Sequence, residues 1–327
     1  MSWKVGMGRI LTKAKKKELC EKREKAFASF DAKVLNYKRF KKDQVFKVET
    51  ENGLLLVKLN HPPSRKVGLK KISQAIFTRE ARLNCYLGKK EFSFFRVPNI
   101  ISTDEKNYLV IEFINPIRPT DGHLIVDALL EFQYSQPLIK NNNIISLWLN
   151  DINRLIRNLV IAKYKKIISW THFFKGLHIC YECNRKQNKL TFPVLKHGDF
   201  HLYNLLMGQD GKMIFLDLET AVISQKWFFS DITRISRYPE KFPYYESSLI
   251  KYYLSRFKNF YPEKFGELHV ESQIRMGFLI KFLRIVNNTT QDEIRKDSFK
   301  IIDQILLDDI AFRNWCQNNF ELTEEML

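Results

Sequence analysis

The residues best equipped for chemistry lie together in one stretch of this chain. His197-Gly198-Asp199-Phe200-His201-Leu202-Tyr203-Asn204 runs into Leu205-Leu206-Met207, then a Gly208-Gln209-Asp210-Gly211 turn, then Lys212-Met213-Ile214-Phe215-Leu216-Asp217-Leu218-Glu219. Two short apolar runs around a turn rich in Gly and Asp predict a β-hairpin, with Met207 near Met213 and Leu205 opposite Phe215. That register brings Asn204 and Asp217 together at the open end of the hairpin. An amide carbonyl and a carboxylate at such a place suit magnesium, a hard cation that takes few protein oxygens and keeps waters or phosphate oxygens for the rest. Glu219 shares a face with Asp217. Asp199, opened by Gly198 and closed by the hairpin, reads as a loop carboxylate beside that metal. From there it can orient a hydroxyl and accept its proton as a phosphoryl group is transferred.

The elements upstream supply a cation and its partner. Val45–Thr50 and Leu54–Leu59 read as two strands around a Glu51-Asn52-Gly53 segment with an Asn-Gly turn. In the second strand Lys58 shares a face with Leu54 and Leu56, so it projects among apolar neighbours and needs a carboxylate. Helical spacing over residues 76–87 places Glu80 on the stripe of Ile76, Leu83 and Leu87, facing inward. Burying either charge alone costs several kcal/mol, which predicts that Lys58 and Glu80 meet. Residues 108–114 form a buried strand, and Asn115-Pro116-Ile117-Arg118-Pro119 ends it and marks a lobe boundary. Residues 144–168 and most of the chain after Tyr244 carry helical periodicity.

Composition bounds these readings. The chain has 327 residues, 45% of them hydrophobic, enough to pack two lobes. No apolar run approaches the ~18–20 residues that cross a bilayer, and no signal-peptide segment is evident, so a cytoplasmic location is expected. Five scattered cysteines read as reduced thiols. Cys180 and Cys183 with His172 and His178 offer a zinc knuckle as the alternative, less favoured than ordinary cysteines because only one CxxC pair exists. The net charge of +18 favours anionic partners. Residues 1–60 alone hold 16 basic and 7 acidic side chains, 16 − 7 = +9. Residues 1–30 read as a basic helical extension, either solvated or resting at the inner face of an anionic membrane. No motif specific for nucleic acid appears.

With these residues in place, the HGDxHxxN stretch and the strand ending in DxE resemble the paired motifs of the aminoglycoside phosphotransferase and choline kinase superfamily, a branch of the protein-kinase fold. The resemblance covers roughly residues 35–240. It implies an α+β fold of two lobes: residues 31–115 as a small lobe with an antiparallel sheet and one main helix, and 116–327 as a larger, mainly helical lobe. It implies an ATP- and magnesium-dependent kinase acting on a hydroxyl-bearing acceptor. In that frame Asp199 is the catalytic base, Asn204 and Asp217 hold the metal, and Lys58 contacts phosphate with Glu80 as its partner. The backbone of Glu112, Phe113 and Ile114 takes the adenine, and Asp231 is a structural aspartate. The loop read at 37–44 departs from the pattern, since it holds no glycine to cover phosphates, only Lys38, Arg39, Lys41 and Lys42. The acceptor is not legible in the motifs. Charge disfavours polycations and favours an anionic acceptor such as a core sugar of lipopolysaccharide, whose kinases are relatives of this superfamily. A nucleic-acid-binding protein and a pseudokinase scaffold are the alternatives from other classes.

Overall fold

The computed structural model describes residues 13–41, 44–60, 67–135, 150–235 and 248–327. Packing divides the chain into two units, Met1–Gly88 with Pro98–Asn115, and Lys89–Val97 with Pro116–Leu327.

Unit 1 is a five-stranded antiparallel sheet with two helices. In chain order it holds α1 (Lys13–Phe27), β1 (Val34–Lys41), β2 (Val45–Thr50), β3 (Gly53–Leu59), α2 (Val67–Leu87), β5 (Ile100–Thr103) and β6 (Tyr108–Glu112). The intervening β4 (Phe95–Arg96) belongs to unit 2. The strand order is β1-β2-β3-β6-β5. The β2–β3 hairpin closes with Thr50 opposite Gly53, whose φ of 125° is open only to glycine, and the Thr50 hydroxyl donates to the Gly53 carbonyl at 2.9 Å. Alternation along the strands buries Phe46, Val48, Val57, Leu59, Tyr108 and Val110 in one core, which Leu19 and Ala26 of α1 enter.

Two expectations are corrected in this unit. The segment read as a loop from residue 37 continues β1 as far as Lys41, paired with β2. Its irregularities at 34–36 and 39–41, and its exposed Leu35 and Tyr37, break the period of two that would have revealed a strand. From Lys13 onward the basic segment is not a solvated extension, because Leu19 and Ala26 spend its apolar stripe on the sheet. Trp3, Val5, Ile10, Leu11 and Lys42 lie outside the described residues.

Unit 2 is mainly helical. It contains α3 (Gly122–Gln133), α4 (Asp151–Tyr164), α5 (Trp170–Lys186), α6 (Ser230–Ile235), α7 (Ser248–Phe260), α8 (Pro262–Phe265), α9 (Val270–Asn288), α10 (Asp292–Ile305) and α11 (Asp309–Phe320). Short strands β7 (Val194–Lys196), β8 (Leu205–Met207), β9 (Met213–Phe215) and β10 (Val222–Ser224) make two small sheets, β10-β7 and β4-β9-β8. Phe95 and Arg96 pair in parallel with Met213 and Ile214, which ties Lys89–Val97 to this unit.

Phe215 anchors the site from beneath. It packs against Phe95, Phe132 and Phe200, with ring centroids 5.0 to 5.4 Å apart, and all four rings are fully buried. The helix α9 is buried along its run from Val270 to Leu283. It approaches α6 closely at Gly277, where a Cβ would fall 2.6 Å from the Thr233 hydroxyl. That contact brings α9 against the element that carries Asp231 and Arg234.

Candidate active site

Lys58 and Glu80 meet as expected. The Lys58 ammonium lies 2.9 and 2.8 Å from the two Glu80 carboxylate oxygens. Glu80 is buried, while the Lys58 side chain keeps about a fifth of its exposure. The carboxylate therefore offsets much of the cost of desolvating both charges and leaves the ammonium with access to an anion. The backbone expected to take adenine needs one refinement. The N–H of Glu112 donates to the Asn99 carbonyl at 3.0 Å and that of Phe113 to the Leu54 carbonyl at 3.2 Å. Both donors are committed to holding unit 1 together, so these two residues can offer a base their carbonyls only. The Phe113 ring carries the Lys47 ammonium 4.2 Å from its centroid.

In unit 2 the predicted hairpin forms in the predicted register: Leu205 opposite Phe215, Leu206 opposite Ile214, Met207 opposite Met213. The Leu216 N–H donates to the Asn204 carbonyl at 2.9 Å, which closes the open end where Asn204 and Asp217 stand. Asp217 adopts φ 57° and ψ 57°, a left-handed conformation rare for a residue with a Cβ and tolerated best by Asp and Asn. Strain of this kind persists where surrounding structure enforces it and gathers at functional positions. The carboxylates of Asp217 and Glu219 approach within 4.8 Å of each other. The Asn204 amide donates its Nδ2 to the Asp199 carbonyl at 3.0 Å, which fixes the orientation of its carbonyl oxygen. Asp217 and Glu219, with the amide oxygen that Asn204 would add, offer only oxygen donors, a chemistry fitted to a hard divalent cation and unsuited to a soft one.

The loop that carries Asp199 is bolted at every residue. Asp231, fully buried, accepts the N–H of His197 at 2.7 Å on one oxygen and the N–H of Gly198 at 2.9 Å on the other. Burial pushes the Asp231 carboxyl up, while His197, Lys196 and Arg234 nearby and the Gly198 bond favour its charged form. The Thr220 hydroxyl donates to the His197 carbonyl at 2.9 Å, and Arg154 donates to the Gly198 carbonyl at 2.8 Å. The His197 ring donates Nε2–H to the Leu216 carbonyl at 3.0 Å, so its Nδ1 is free to accept the Asp199 N–H at 3.4 Å. Burial depresses the His197 pKa, in keeping with that neutral tautomer. Gly198 has φ 76°, and a Cβ there would lie 2.5 Å from the Thr220 carbonyl oxygen, so no other residue fits without movement.

Asp199 itself does not stand alone. Its carboxylate meets Arg234 at 2.5 Å and Arg284 at 2.9 Å through one oxygen, and His201 at 3.3 Å through the other. Burial would raise its pKa, but the His201 bond and the two guanidinium groups hold it well below the usual carboxylate range. Arg234 is buried, and its own pKa is pushed down to about 10 by burial and by the charges of Arg154 and Arg284. Reading the sequence missed both arginines. Arg234 follows Asp231 by three residues, a local signal that was available, whereas Arg284 is 85 residues from Asp199 and left none.

Cys180 and Cys183 are buried in α5, and burial pushes both thiols up to about 11. His172 is engaged with Ser169 and Asp303, and His178 is exposed. None of the helices among the described residues is long and apolar enough to cross a membrane.

Neither a protein-family profile nor any curated protein matches the chain. Solved structures do. A protein described as a fructosamine-3-kinase from Thermobifida fusca aligns at TM-score 0.58 and 14% identity, covering 86% of this chain and 97% of its own. A choline kinase from Cryptosporidium parvum aligns at TM-score 0.52 and 14% identity, over 89% and 94%. A spectinomycin phosphotransferase with bound AMP aligns at 0.51 and 15%, over 88% and 96%. The chain therefore has the fold of these kinases, an antiparallel sheet in one part and a mainly helical remainder, as the motifs implied.

Proposed function

We propose that the protein is a phosphotransferase that moves the γ-phosphoryl group of ATP to a hydroxyl of a small molecule or sugar. The observation that carries this reading is the pinned loop at Asp199, joined through the Asn204 amide to a hairpin that ends in Asp217 and Glu219. In unit 1, Lys58 contacts phosphate and is held ready by Glu80, and the carbonyls of Glu112 and Phe113 together with Ile114 border the adenine. In unit 2, Asn204 and Asp217 would hold magnesium, with Glu219 close to Asp217. When bound, that ion neutralises charge on the nucleotide phosphates.

The chemistry asked of the protein is small. The acceptor oxygen bonds to the γ-phosphorus, the bond to the bridging oxygen of the departing ADP breaks, and the hydroxyl proton passes to Asp199. A carboxylate held as acidic as Asp199 is a weak base, which suits a loose transition state where the proton leaves late. Orientation of the hydroxyl is then its main task.

The names of the similar structures point to acceptors such as choline, a fructosamine or an aminoglycoside-type antibiotic. A chain of net charge +18 repels polycations at long range. We therefore favour an anionic acceptor, with a lipopolysaccharide core sugar at a membrane surface as the leading example. Contact with an anionic membrane would use exposed Trp170, Phe174 and Tyr181 of α5, where Lys163 lies 4.2 Å over the Trp170 ring. The deciding experiment incubates the purified chain with γ-labelled ATP, magnesium and a panel of neutral, cationic and anionic hydroxyl compounds. Label in an acid-stable ester of an anionic acceptor is expected. Transfer to cationic compounds alone removes the acceptor reading, and no transfer to any compound removes the kinase reading.

A further inference from the structure

The turn that presents Asn204 is open on its outer side. Leu202–Asn204 forms a single 3₁₀ turn, in which the Asn204 N–H donates to the His201 carbonyl at 2.8 Å and the Leu205 N–H follows on the Leu202 carbonyl. Hydrogen bonds in such a turn have poorer geometry than those of an α-helix, so one turn alone is weakly held. Leu202 and Asn204 are buried, but Tyr203 between them is 64% exposed. Packing therefore grips the turn from within and leaves its solvent side to other means.

A segment of the same unit supplies them. Pro116-Ile117-Arg118-Pro119 is tied to the stretch from Leu202 to Met207 at two points: the Ile117 carbonyl accepts the Met207 N–H at 2.8 Å, and Arg118 Nη1 donates to the Leu202 carbonyl at 2.7 Å. Proline on either side restricts the backbone of this segment, and Pro119 biases Arg118 towards an extended conformation. The arginine thus projects from a backbone with little freedom left to lose. Its bond to Leu202 is charge-assisted, hence stronger than a neutral one, and it fills the second lone pair of a carbonyl that already receives Leu205. The same guanidinium lies 4.9 Å from the centroid of the Tyr203 ring, which the His201 ring meets at 73° from its other neighbour, 5.9 Å between centroids. Arg118 therefore holds residues 202 and 203 on their solvent side, immediately before Asn204.

What the turn does, Asn204 must follow. Its N–H is bonded to His201 and its Nδ2 to the Asp199 carbonyl at 3.0 Å, so a turn free to open would carry the amide oxygen away with it. We propose that Arg118 is a positioning residue, which clamps the Leu202–Asn204 turn so that the Asn204 amide oxygen stands ready for the divalent ion. This inference rests on the phosphotransferase reading, in which Asn204 would hold magnesium, and adds the residue that sets that ligand in place. A guanidinium suits the task because its planar fork donates to a carbonyl while lying beside a ring; an ammonium on a flexible stem does so only in part.

The test uses the full chain and titrates manganese with ATP by electron paramagnetic resonance, with urea unfolding alongside. Arg118→Met keeps the apolar stem and removes the donors. It is expected to weaken Mn·ATP binding by about tenfold or more, and Arg118→Lys is expected to recover part of that loss. The urea midpoint of Arg118→Met is expected to stay close to that of wild type, because the residue is exposed. In an Asn204→Ala background, Arg118→Met should change binding by less than about twofold, since two residues that act through one group are not additive. Unchanged Mn·ATP binding by Arg118→Met, or an equal loss in both backgrounds, overturns the positioning role and leaves the kinase reading standing. A large fall in the urea midpoint of Arg118→Met also overturns it, by assigning the arginine to the fold. Arg118→Met and Arg118→Lys decide the matter by themselves should Asn204→Ala fail to fold. A wild-type chain that binds no Mn·ATP removes the kinase reading and this inference with it.

Discussion

Neutralising Asp199 should harm this protein twice. In Asp199→Asn the carboxylate that meets Arg234, Arg284 and His201 becomes an amide, which can accept through one oxygen only. Arg234 is buried, so it would face Arg154 and Arg284 with its directly bonded carboxylate gone and Asp231, whose oxygens hold the loop N–H groups, left nearby. Removing one partner of a buried ion pair costs about 3–5 kcal/mol, and the retained carbonyl lowers this to about 2–4 kcal/mol. The half-exposed Arg284 adds less than about 1 kcal/mol. Turnover should fall by about 10²–10⁴, the usual worth of a positioned proton acceptor. Denaturant unfolding of wild type and variant at pH 7 measures the first effect, and ADP release in the presence of an acceptor measures the second. A variant as stable as wild type, or more stable, would refute the ion-pair reasoning, and unchanged turnover would refute the role of Asp199.

Gly198→Ala forces a Cβ to within 2.5 Å of the Thr220 carbonyl at φ 76°, and should cost roughly 2–5 kcal/mol from left-handed strain and overpacking together, measured by chemical denaturation. Phe215→Ala empties the ring cluster beneath the loop and should cost about 3–5 kcal/mol in the same assay. Because the Asp199 pKa is depressed below its unfolded value of about 3.9, its contribution to stability is complete above about pH 4 and is lost only as pH falls towards the folded value. Between pH 5 and 8 the carboxylate stays ionised, so kcat/KM should show no acid limb from it, and an acid limb traced to Asp199 in that range would contradict this. Trp170→Ala with Phe174→Ala should reduce flotation with vesicles containing phosphatidylserine, and equal flotation would remove the membrane contact at α5.

Much of the site was legible because local rules settle it. The turn at residues 208–211 and the period of two on either side set the β8–β9 register without reference to the rest of the chain. Lys58 and Glu80 were legible because each sits on an apolar face of its own element, where a charge demands a partner. What was hidden depended on distance or on broken patterns. Asp199 finds Arg234 35 residues away and Arg284 85 away, and no local spacing encodes such contacts. The α1 helix docks through Leu19 and Ala26, seven residues apart, too thin a stripe to distinguish from a solvated helix. The two-residue strand Phe95–Arg96 is shorter than any periodicity can reveal.

The central claim is that a hairpin brings Asn204 and Asp217 together as oxygen ligands for a divalent ion beside Asp199. Electron paramagnetic resonance of manganese in titrations of Mn·ATP tests it with Asp217→Asn, which keeps a side chain tolerant of the left-handed backbone at φ 57°. Wild type and Asp199→Asn should bind Mn·ATP alike, and Asp217→Asn should bind it at least about tenfold more weakly. Equal binding by wild type and Asp217→Asn would contradict the account.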